Sequence, residues 1–262
     1  MTHALWTRRA LCLAGLAPLL ALPARSQQPA PRPITTLGVF SLMGDGVEVT
    51  IAPAVTDTRL DTARRETFEY RNIGFDIIAG REVREAVAKL RAGISVVPFG
   101  TNATLPAAEQ RHIASGARDG ALPSWILQAV QQRRLSHVLL LTRQRGDVKL
   151  LTASGSTIGR GRVDGIGFYV DAAYTVRDTQ TGVVAHGALG SHVLVELTLM
   201  DTDSGQVVRS HTIDEQYLIG QLEQKAAVDP WSYLSPEQKV ALLREALAQS
   251  LKRVLPELFK GL

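Results

Sequence analysis

The sequence predicts an α/β (α+β) fold, with helices packed on a mixed sheet, antiparallel hairpins in the C-terminal half and a long C-terminal helix. Apolar residues recur at helical spacing over residues 80–93. The run 136–142 is continuously apolar, as in a strand that is covered on both faces. Apolar and polar residues alternate from residue 168 onward, and residues 235–258 then carry an apolar stripe at helical spacing.

The N-terminus has the features of an export signal. Arg8 and Arg9 precede the apolar stretch 10–22, and small residues at Ala24 and Ser26 suit a signal peptidase. The apolar stretch is too short for a membrane-spanning helix, although an uncleaved anchor is the alternative. We therefore expect cleavage after residue 26 and a periplasmic chain without an integral membrane segment. The paired arginines leave both the general and the twin-arginine export route open.

Charge and composition limit what the mature chain can bind. The sequence has 29 Lys+Arg and 25 Asp+Glu, but three of the arginines lie in the export signal, which leaves 26 against 25. Like charges form no run and aromatic residues make up only 5% of the chain, so we expect no nucleic-acid binding. Residues 27–33 form a Pro-rich tether, and residues 34–262 are expected to form a single α/β domain.

The start of this domain has a strand pattern. Two apolar segments flank Gly44-Asp45-Gly46, which predicts a hairpin over Leu37–Ala52. A further extended piece is expected around Phe68–Phe75. These segments should supply the first strands of the sheet.

A helical pattern follows. Val83, Val87 and Leu90 recur at helical spacing and should face the core, with Glu82 and Lys89 outward and Gly93 at the end. The segment Ile94–Gly100 predicts a short buried strand that Pro98 should end. Two helices, each beginning with a proline, are then expected at Pro106–Ala114 and Pro123–Leu135.

The C-terminal half predicts antiparallel strands and a helix. Residues 168–177 alternate between an apolar face and a wetter face that includes Tyr169 and Asp171, and a turn is expected at 180–182. The clearest hairpin reverses at residues 203–205. Its apolar face comprises Val193, Val195, Leu197 and Leu199.

The final helix has the strongest N-terminal signal in the chain. Ser235 and Gln238 form a capping box around Pro236, and Pro256 should kink or end the helix. Its stripe comprises Val240, Leu243, Leu247, Leu251, Val254 and Leu258, and its outward residues Glu237, Lys239, Arg244, Glu245 and Lys252. Because the outward charges are mixed, the pattern favours core packing over a membrane-surface helix.

The glycine-rich segment Gly155–Asp171 resembles a phosphate-binding loop only superficially. Its glycine spacing fits neither the dinucleotide fingerprint nor the P-loop, and a strand pattern follows instead of a helix. We therefore expect Ser156–Gly167 to be a long, mobile hairpin tip with solvated charges. Its candidate partner-contact residues are Arg160, Arg162, Asp164 and Tyr169.

Residues with catalytic potential are few. No serine-hydrolase, zinc-protease or cysteine-nucleophile spacing is present. His186 and His192 would share one side of a strand only if the chain stayed extended through Gly187 and Gly190. We therefore expect no metal ion and no cofactor. A hydrolase with a site near these histidines is the alternative.

The hairpin near residue 200 carries a family resemblance. Its residues Leu199, Met200, Asp201, Ser204, Gly205, Val207 and Val208 follow a pattern that resembles a bacterial envelope family. This family includes the curli-export lipoprotein, the lipoprotein activators of penicillin-binding proteins and the TolB amino-terminal domain. The resemblance implies an α/β domain that acts by binding envelope partners. We therefore expect a periplasmic binding or envelope-assembly protein without catalytic activity.

Overall fold

A mixed sheet of ten strands forms the centre of the part of the chain that the structure describes. The computed structural model describes residues 32–52, 63–69, 73–100, 105–152, 155–177, 184–220 and 229–261. Its helices are α1 (Phe75–Leu90), α2 (Ala107–Arg118), α3 (Ser124–Arg133) and α4 (Pro236–Leu258). Its strands are β1 (Thr36–Ser41), β2 (Gly46–Ile51), β3 (Arg64–Glu69), β4 (Ser95–Gly100), β5 (His137–Arg143), β6 (Arg145–Asp147), β7 (Leu150–Leu151), β8 (Thr157–Ile158), β9 (Arg162–Asp164), β10 (Ile166–Arg177), β11 (Val184–Asp201) and β12 (Val207–Gly220).

The longest strand, β11, joins two groups of three strands. Its residues 195–201 pair antiparallel with β5, and its residues 184–193 pair antiparallel with β10. In the first group, β1 lies parallel between β5 and β4. In the second group, β2 lies between β10 and β3. The groups β4-β1-β5 and β3-β2-β10 therefore lie end to end beside β11, and β12 covers its other side.

The predicted hairpin over Leu37–Ala52 is wrong, although both of its strands exist. β1 runs parallel to β5 and β2 runs parallel to β10, and both β5 and β10 are antiparallel to β11. β1 and β2 therefore run in the same direction, and the crossing segment 42–45 carries the chain from one group of strands to the other. Both edges of β1 are occupied by β4 and β5, which leaves no edge for β2. Leu42 and Met43 are fully buried in this crossing.

Helices cover both faces of the sheet, as the apolar run of β5 predicts. On one face, Val83 of α1 and Leu247 of α4 lie in the largest apolar cluster. On the other face, Ile113 of α2 and Ile126 of α3 pack in a second cluster with Phe40 of β1. The observed architecture confirms the predicted fold class.

The hairpin of β11 and β12 is confirmed. Asp201 closes the reversal, because its Oδ1 accepts hydrogen bonds of 2.9 Å from the backbone nitrogens of Asp203 and Ser204. These hydrogen bonds to the charged carboxylate help to hold the pKa of Asp201 below its usual value, against the effect of burial. The predicted apolar face is buried in the largest cluster.

The capping box of α4 is confirmed, with Ser235 and Gln238 bonded to each other's backbone nitrogens. Pro256 does not end the helix, which continues to Leu258. The prediction that Lys239 faces outward is wrong, because this residue is buried. Its Nζ donates a hydrogen bond of 2.7 Å to the Leu234 carbonyl and lies over the Trp231 ring. None of the helices in the described ranges combines the length and apolar character needed to cross a bilayer.

The first helix differs from its prediction at its start and on one face. α1 begins at Phe75, so the expected extended piece around Phe68–Phe75 splits between β3 and this helix. Glu82 is buried instead of outward, because Lys252 of α4 and the neighbouring Arg81 both lie against its carboxylate. Leu90, expected in the core, is 44% exposed.

The two helices and the strand predicted after α1 are all present. α2 and α3 are present, each directly after its proline. Pro98 lies inside β4 and does not end it, which is tolerated because β4 pairs only with β1 among the described strands. The expectation that this strand is buried is wrong, because all of its residues are exposed or half-buried. The predicted export signal, most of the tether and the turn at 180–182 lie outside the described residues.

Candidate functional site

The glycine-rich segment is built into the fold, so the prediction of a solvated hairpin tip is wrong. It contributes β8 and β9, and β9 pairs antiparallel with β6. Val163 and Ile166 have no exposed surface. At Gly159, where φ is +114°, a Cβ atom would lie 2.2 Å from Cγ1 of Val148. The glycine therefore serves a close approach of the backbone to its neighbours as well as a turn.

Two of the predicted partner-contact residues, Arg160 and Tyr169, bond to each other. Tyr169 is buried, and its hydroxyl oxygen accepts a hydrogen bond of 3.0 Å from the backbone nitrogen of Arg160. The Arg160 guanidinium donates to Oδ2 of Asp171 at 3.2 Å. Asp171 is also buried, so the expected wetter face of β10 is covered at this point.

The other two candidates, Arg162 and Asp164, lie on β9 in different surroundings. The Arg162 side chain is 58% exposed, and its Nε lies 3.3 Å from Oδ1 of Asp147. The Asp164 side chain is only 13% exposed and lies 3.3 Å from the Arg111 guanidinium. The four candidates therefore do not form one exposed patch. Contact with a partner stays a prediction for them, and Arg162 is the most exposed of the four side chains.

The two histidines of β11, His186 and His192, lie in different surroundings. His192 is buried, and its Nδ1 lies 3.2 Å from the Gly165 carbonyl oxygen. His186 is exposed, and Gly187, with φ at +80°, interrupts the extended backbone between them. Within the described ranges, no three side chains of His, Cys, Asp or Glu are grouped closely enough to hold a metal ion.

A buried arginine links the two groups of strands, and sequence reasoning missed it. Arg143 is the last residue of β5, and its Nε donates to the Met43 carbonyl at 2.7 Å while its Nη2 donates to the Gly46 carbonyl. Its backbone nitrogen donates to Oε1 of Gln110 on α2 at 3.0 Å. The available signal was an arginine directly after a continuous apolar run. We call Arg143 and the crossing segment 42–45 the seam.

Two aspartates attach the seam to the start of α1. Oδ1 of Asp76 accepts hydrogen bonds from the backbone nitrogens of Met43 and Gly44 at 3.2 and 3.3 Å. Oδ1 of Asp45 accepts one from the Gly74 nitrogen at 2.9 Å. Burial raises the pKa of the Asp76 carboxyl, and its hydrogen bonds counteract that rise. Both carboxylates are therefore engaged in holding the backbone.

Titratable groups beside the seam are shifted towards their neutral forms. Burial raises the pKa of Glu48 to about 7, and the neighbouring Asp164 carboxylate adds to the rise. Burial lowers the pKa of His192 to about 4, and the nearby Arg143 cation lowers it further. β10 approaches Glu48 so closely that a Cβ atom at Gly167 would lie 1.8 Å from the Glu48 carbonyl oxygen. The seam is thus a closely packed region whose polar groups hold the fold together.

An open groove of about 450 Å³ runs between α1 and the edge of β4 that faces away from β1. We call it the β4 groove, and its lining includes Ile77, Gly80, Arg81, Arg84, Pro98 and Phe99.

The β4 groove has an apolar floor and walls with a basic rim. Ile77 is 77% exposed. Gly80 lets α1 approach the strand, because a Cβ atom there would lie 3.1 Å from Cβ of Pro98. On the opposite face of the sheet, Phe99 stacks on Phe40, with ring centroids 4.3 Å apart, which fixes the strand that borders the groove. The groove is therefore preformed by packed elements.

Comparison with known proteins identifies no family for this chain. No family model and no curated protein matches it. Among solved structures, protein XCC0632 from Xanthomonas campestris (DUF330) is 11% identical over 89% of both chains, with a TM-score of 0.38. PelC from Paraburkholderia phytofirmans, solved as a dodecamer, is 11% identical over 85% of this chain and 88% of its own, with a TM-score of 0.29.

Lipoprotein GNA1162 from Neisseria meningitidis is 11% identical over 84% of this chain and 99% of its own, with a TM-score of 0.28. At such identities and TM-scores, the similarity carries no argument about function. The resemblance to the curli-export, penicillin-binding-protein activator and TolB family stays a prediction.

Proposed function

We propose that the chain is an exported, periplasmic protein of the bacterial cell envelope that binds a partner protein and has no catalytic activity. The observation that carries this proposal is the β4 groove. Ile77 exposes 77% of its surface in a groove whose walls are fixed by packed elements. Covering such an apolar side chain with a partner is favourable by about 25 cal/mol per Å² of apolar area removed from water.

The seam is a less suitable place for function than the β4 groove. Its arginine and its two aspartates already bond to backbone groups of the protein. A ligand would have to replace those hydrogen bonds, and an unsatisfied buried polar group costs about 1–3 kcal/mol. We therefore assign the seam a structural role.

The alternative of a hydrolase near His186 and His192 gains no support from the described residues. His192 is fully enclosed and His186 is exposed on the other side of the break at Gly187. A general base must reach its substrate within hydrogen-bond distance, and these two rings do not share a site.

Crosslinking in intact cells tests the proposal. A photoreactive side chain is placed at position 100, where Gly100 lines the β4 groove and an added Cβ atom would lie 4.0 Å from its nearest neighbour, Cβ of Asp76. The probe is placed both in the otherwise unchanged chain and in an Ile77→Asp variant. Tyr217→Asp is the matched control, because Tyr217 is 43% exposed on β12, on the far side of the sheet. We expect specific protein adducts that Ile77→Asp removes and Tyr217→Asp leaves in place. Adducts that are equally abundant in both variants would contradict partner binding at this groove.

A further inference from the structure

We propose that the partner is bound as an extended segment that adds to the outer edge of β4 and places an acidic side chain beside Arg84. This inference rests on the proposed function and names the chemistry of the partner for the same groove.

The backbone of β4 offers hydrogen-bonding groups on its outer edge. The Ser95 nitrogen donates to the Thr35 carbonyl of the β1 segment at 3.0 Å. Backbone groups alternate in direction along a strand, so those of residues 95, 97 and 99 face β1 and those of residues 96, 98 and 100 face outward. No other described strand pairs with that side. The outward groups therefore have no backbone partner in the part of the chain that the structure describes, and a strand from another chain can pair with them.

Pro98 fixes what such a strand can bond to. Val96 and Gly100 each present an N–H and a carbonyl group outward, whereas Pro98 presents only its carbonyl because proline has no N–H. An added segment can thus both donate a hydrogen bond to, and accept one from, Val96 and Gly100. At Pro98 it can only donate one to the carbonyl oxygen. The proline also disfavours unspecific edge-to-edge pairing, as it does at natural sheet edges.

The β4 groove lies where alternate side chains of an added segment would point. On the α1 face of the sheet, the groove is bounded by Ile77 and Pro98, and both are exposed. Strand addition combines backbone hydrogen bonds with pockets for every second side chain. An apolar side chain of the segment therefore fits between these two residues.

The charge of the rim selects an acidic segment. Arg84 is exposed and makes no ion pair with any residue in the described ranges. Arg81 already bonds to Glu82, and the Asp76 carboxylate is used by the backbone of the seam. Arg84 therefore presents a cation that a partner carboxylate can pair with. A second copy of this chain fits less well, because it would bring the arginines of both α1 helices to one interface.

Selection from random dodecamer peptides displayed on phage, panned against the purified mature chain, tests the inference. We expect the selected peptides to alternate apolar and polar residues and to be enriched in Asp and Glu. Arg84→Glu should weaken their binding about fivefold or more, since attraction is replaced by repulsion, and should shift the selection towards Lys and Arg. Lys89→Glu, an equal change of charge further along α1, should leave the affinity within about twofold.

Backbone methylation of one selected peptide separates strand addition from other modes of binding. Methylating every second backbone nitrogen should abolish binding in one of the two alternating sets and spare it in the other, because only one set of N–H groups faces β4. Equal binding of both methylated sets, no effect of Arg84→Glu, or no peptide enriched would each overturn the inference.

The outcomes separate this inference from the proposed function. Loss of cellular adducts in Ile77→Asp together with negative peptide results would keep the groove as a binding site and reject the acidic extended segment. A dimer in solution that Ile77→Asp converts to a monomer would show that a second copy is the occupant, and would also overturn the inference.

Discussion

The guanidinium of Arg143 donates a hydrogen bond of 2.7 Å to the carbonyl oxygen of Met43. The end of β5 thus holds the first part of the segment that carries the chain from β1 to β2. The same side chain also bonds the Gly46 carbonyl, where β2 begins. One buried cation therefore spans the whole crossing between the two groups of strands.

Replacing this cation should destabilise the fold strongly. We expect Arg143→Met to lower the free energy of unfolding by about 3–5 kcal/mol, because it leaves the buried Met43 and Gly46 carbonyls without their hydrogen-bond donor. Urea denaturation of both proteins measures the difference. Arg162→Met, at an exposed arginine, should change stability by no more than about 0.5 kcal/mol. Equal effects of the two substitutions would mean that the seam is not held by Arg143.

Stability should depend on pH through two opposing groups beside the seam. Glu48 has a folded pKa of about 7 against an ordinary value of 4.5, so between these values the folded state keeps a proton that the unfolded chain has released, and stability falls as pH rises. His192 has a folded pKa of about 4 against 6.5, so over that range the unfolded chain holds the extra proton, and stability rises with pH. The two effects offset each other between pH 4.5 and 6.5.

Single substitutions should expose each slope. Relative to the unchanged protein, Glu48→Gln should gain stability as pH rises from 4.5 to 7, and the gain at pH 8 should reach up to about 3 kcal/mol. Relative to the unchanged protein, His192→Asn should gain stability as pH falls from 6.5 to 4, because no buried imidazole then has to stay neutral. Urea midpoints measured across this range for the three proteins provide the test. Parallel profiles in all three would contradict the assignment of these titrations, which also depends on Arg143, Arg65 and Asp164 nearby.

The glycine-rich segment should be required for folding. Replacing residues 156–164 with an Asn-Gly turn removes Val163, which is fully buried, together with the pairing of β9 with β6. We expect a loss of about 2 kcal/mol or more, or loss of cooperative unfolding, as for other deletions of core side chains. Thermal unfolding followed by circular dichroism measures this. Substituting only the exposed Arg162 by Ala is the control, and a melting temperature unchanged in both would show that the segment is dispensable.

The export signal gives a prediction that the described residues do not test. The mature protein should begin near Gln27 and be released from cells by osmotic shock, because Met1–Ser26 has the charged, apolar and small-residue segments of a cleaved signal in order. Intact-mass measurement of the released protein identifies its first residue. A product that retains Met1–Ser26, or one confined to the cytoplasm, would rule out export by this signal.

The sequence predicted which helices and strands are present more reliably than it predicted which strands pair with each other. The capping box at Ser235 and the reversal at Asp201 depend on residues a few positions apart, so their local pattern was sufficient. The pairing of β1 with β4 and β5 depends on chain segments that are far apart in sequence. The motif Gly44-Asp45-Gly46 suits a crossing segment as well as a hairpin turn, so it could not distinguish the two.

The same reason explains the errors at the candidate sites. Polar residues such as Tyr169 and Asp164 suggested a solvated surface, but the structure buries Tyr169 and half-buries Asp164 beside Arg111 of α2. The β4 groove could not be predicted, because it needs Ile77 of a helix and Pro98 of a strand to face the same space. Those positions carry no signal of their own in the sequence.

The position of β11 late in the chain has a consequence for the order of folding. β5 and β10 both take a neighbour from residues 184–201, so neither group of strands can complete its pairing before that part of the chain has left the ribosome. Contacts between segments that are far apart in sequence form slowly and leave open strand edges until they do. The strands of the N-terminal half therefore keep unpaired edges until β11 is available.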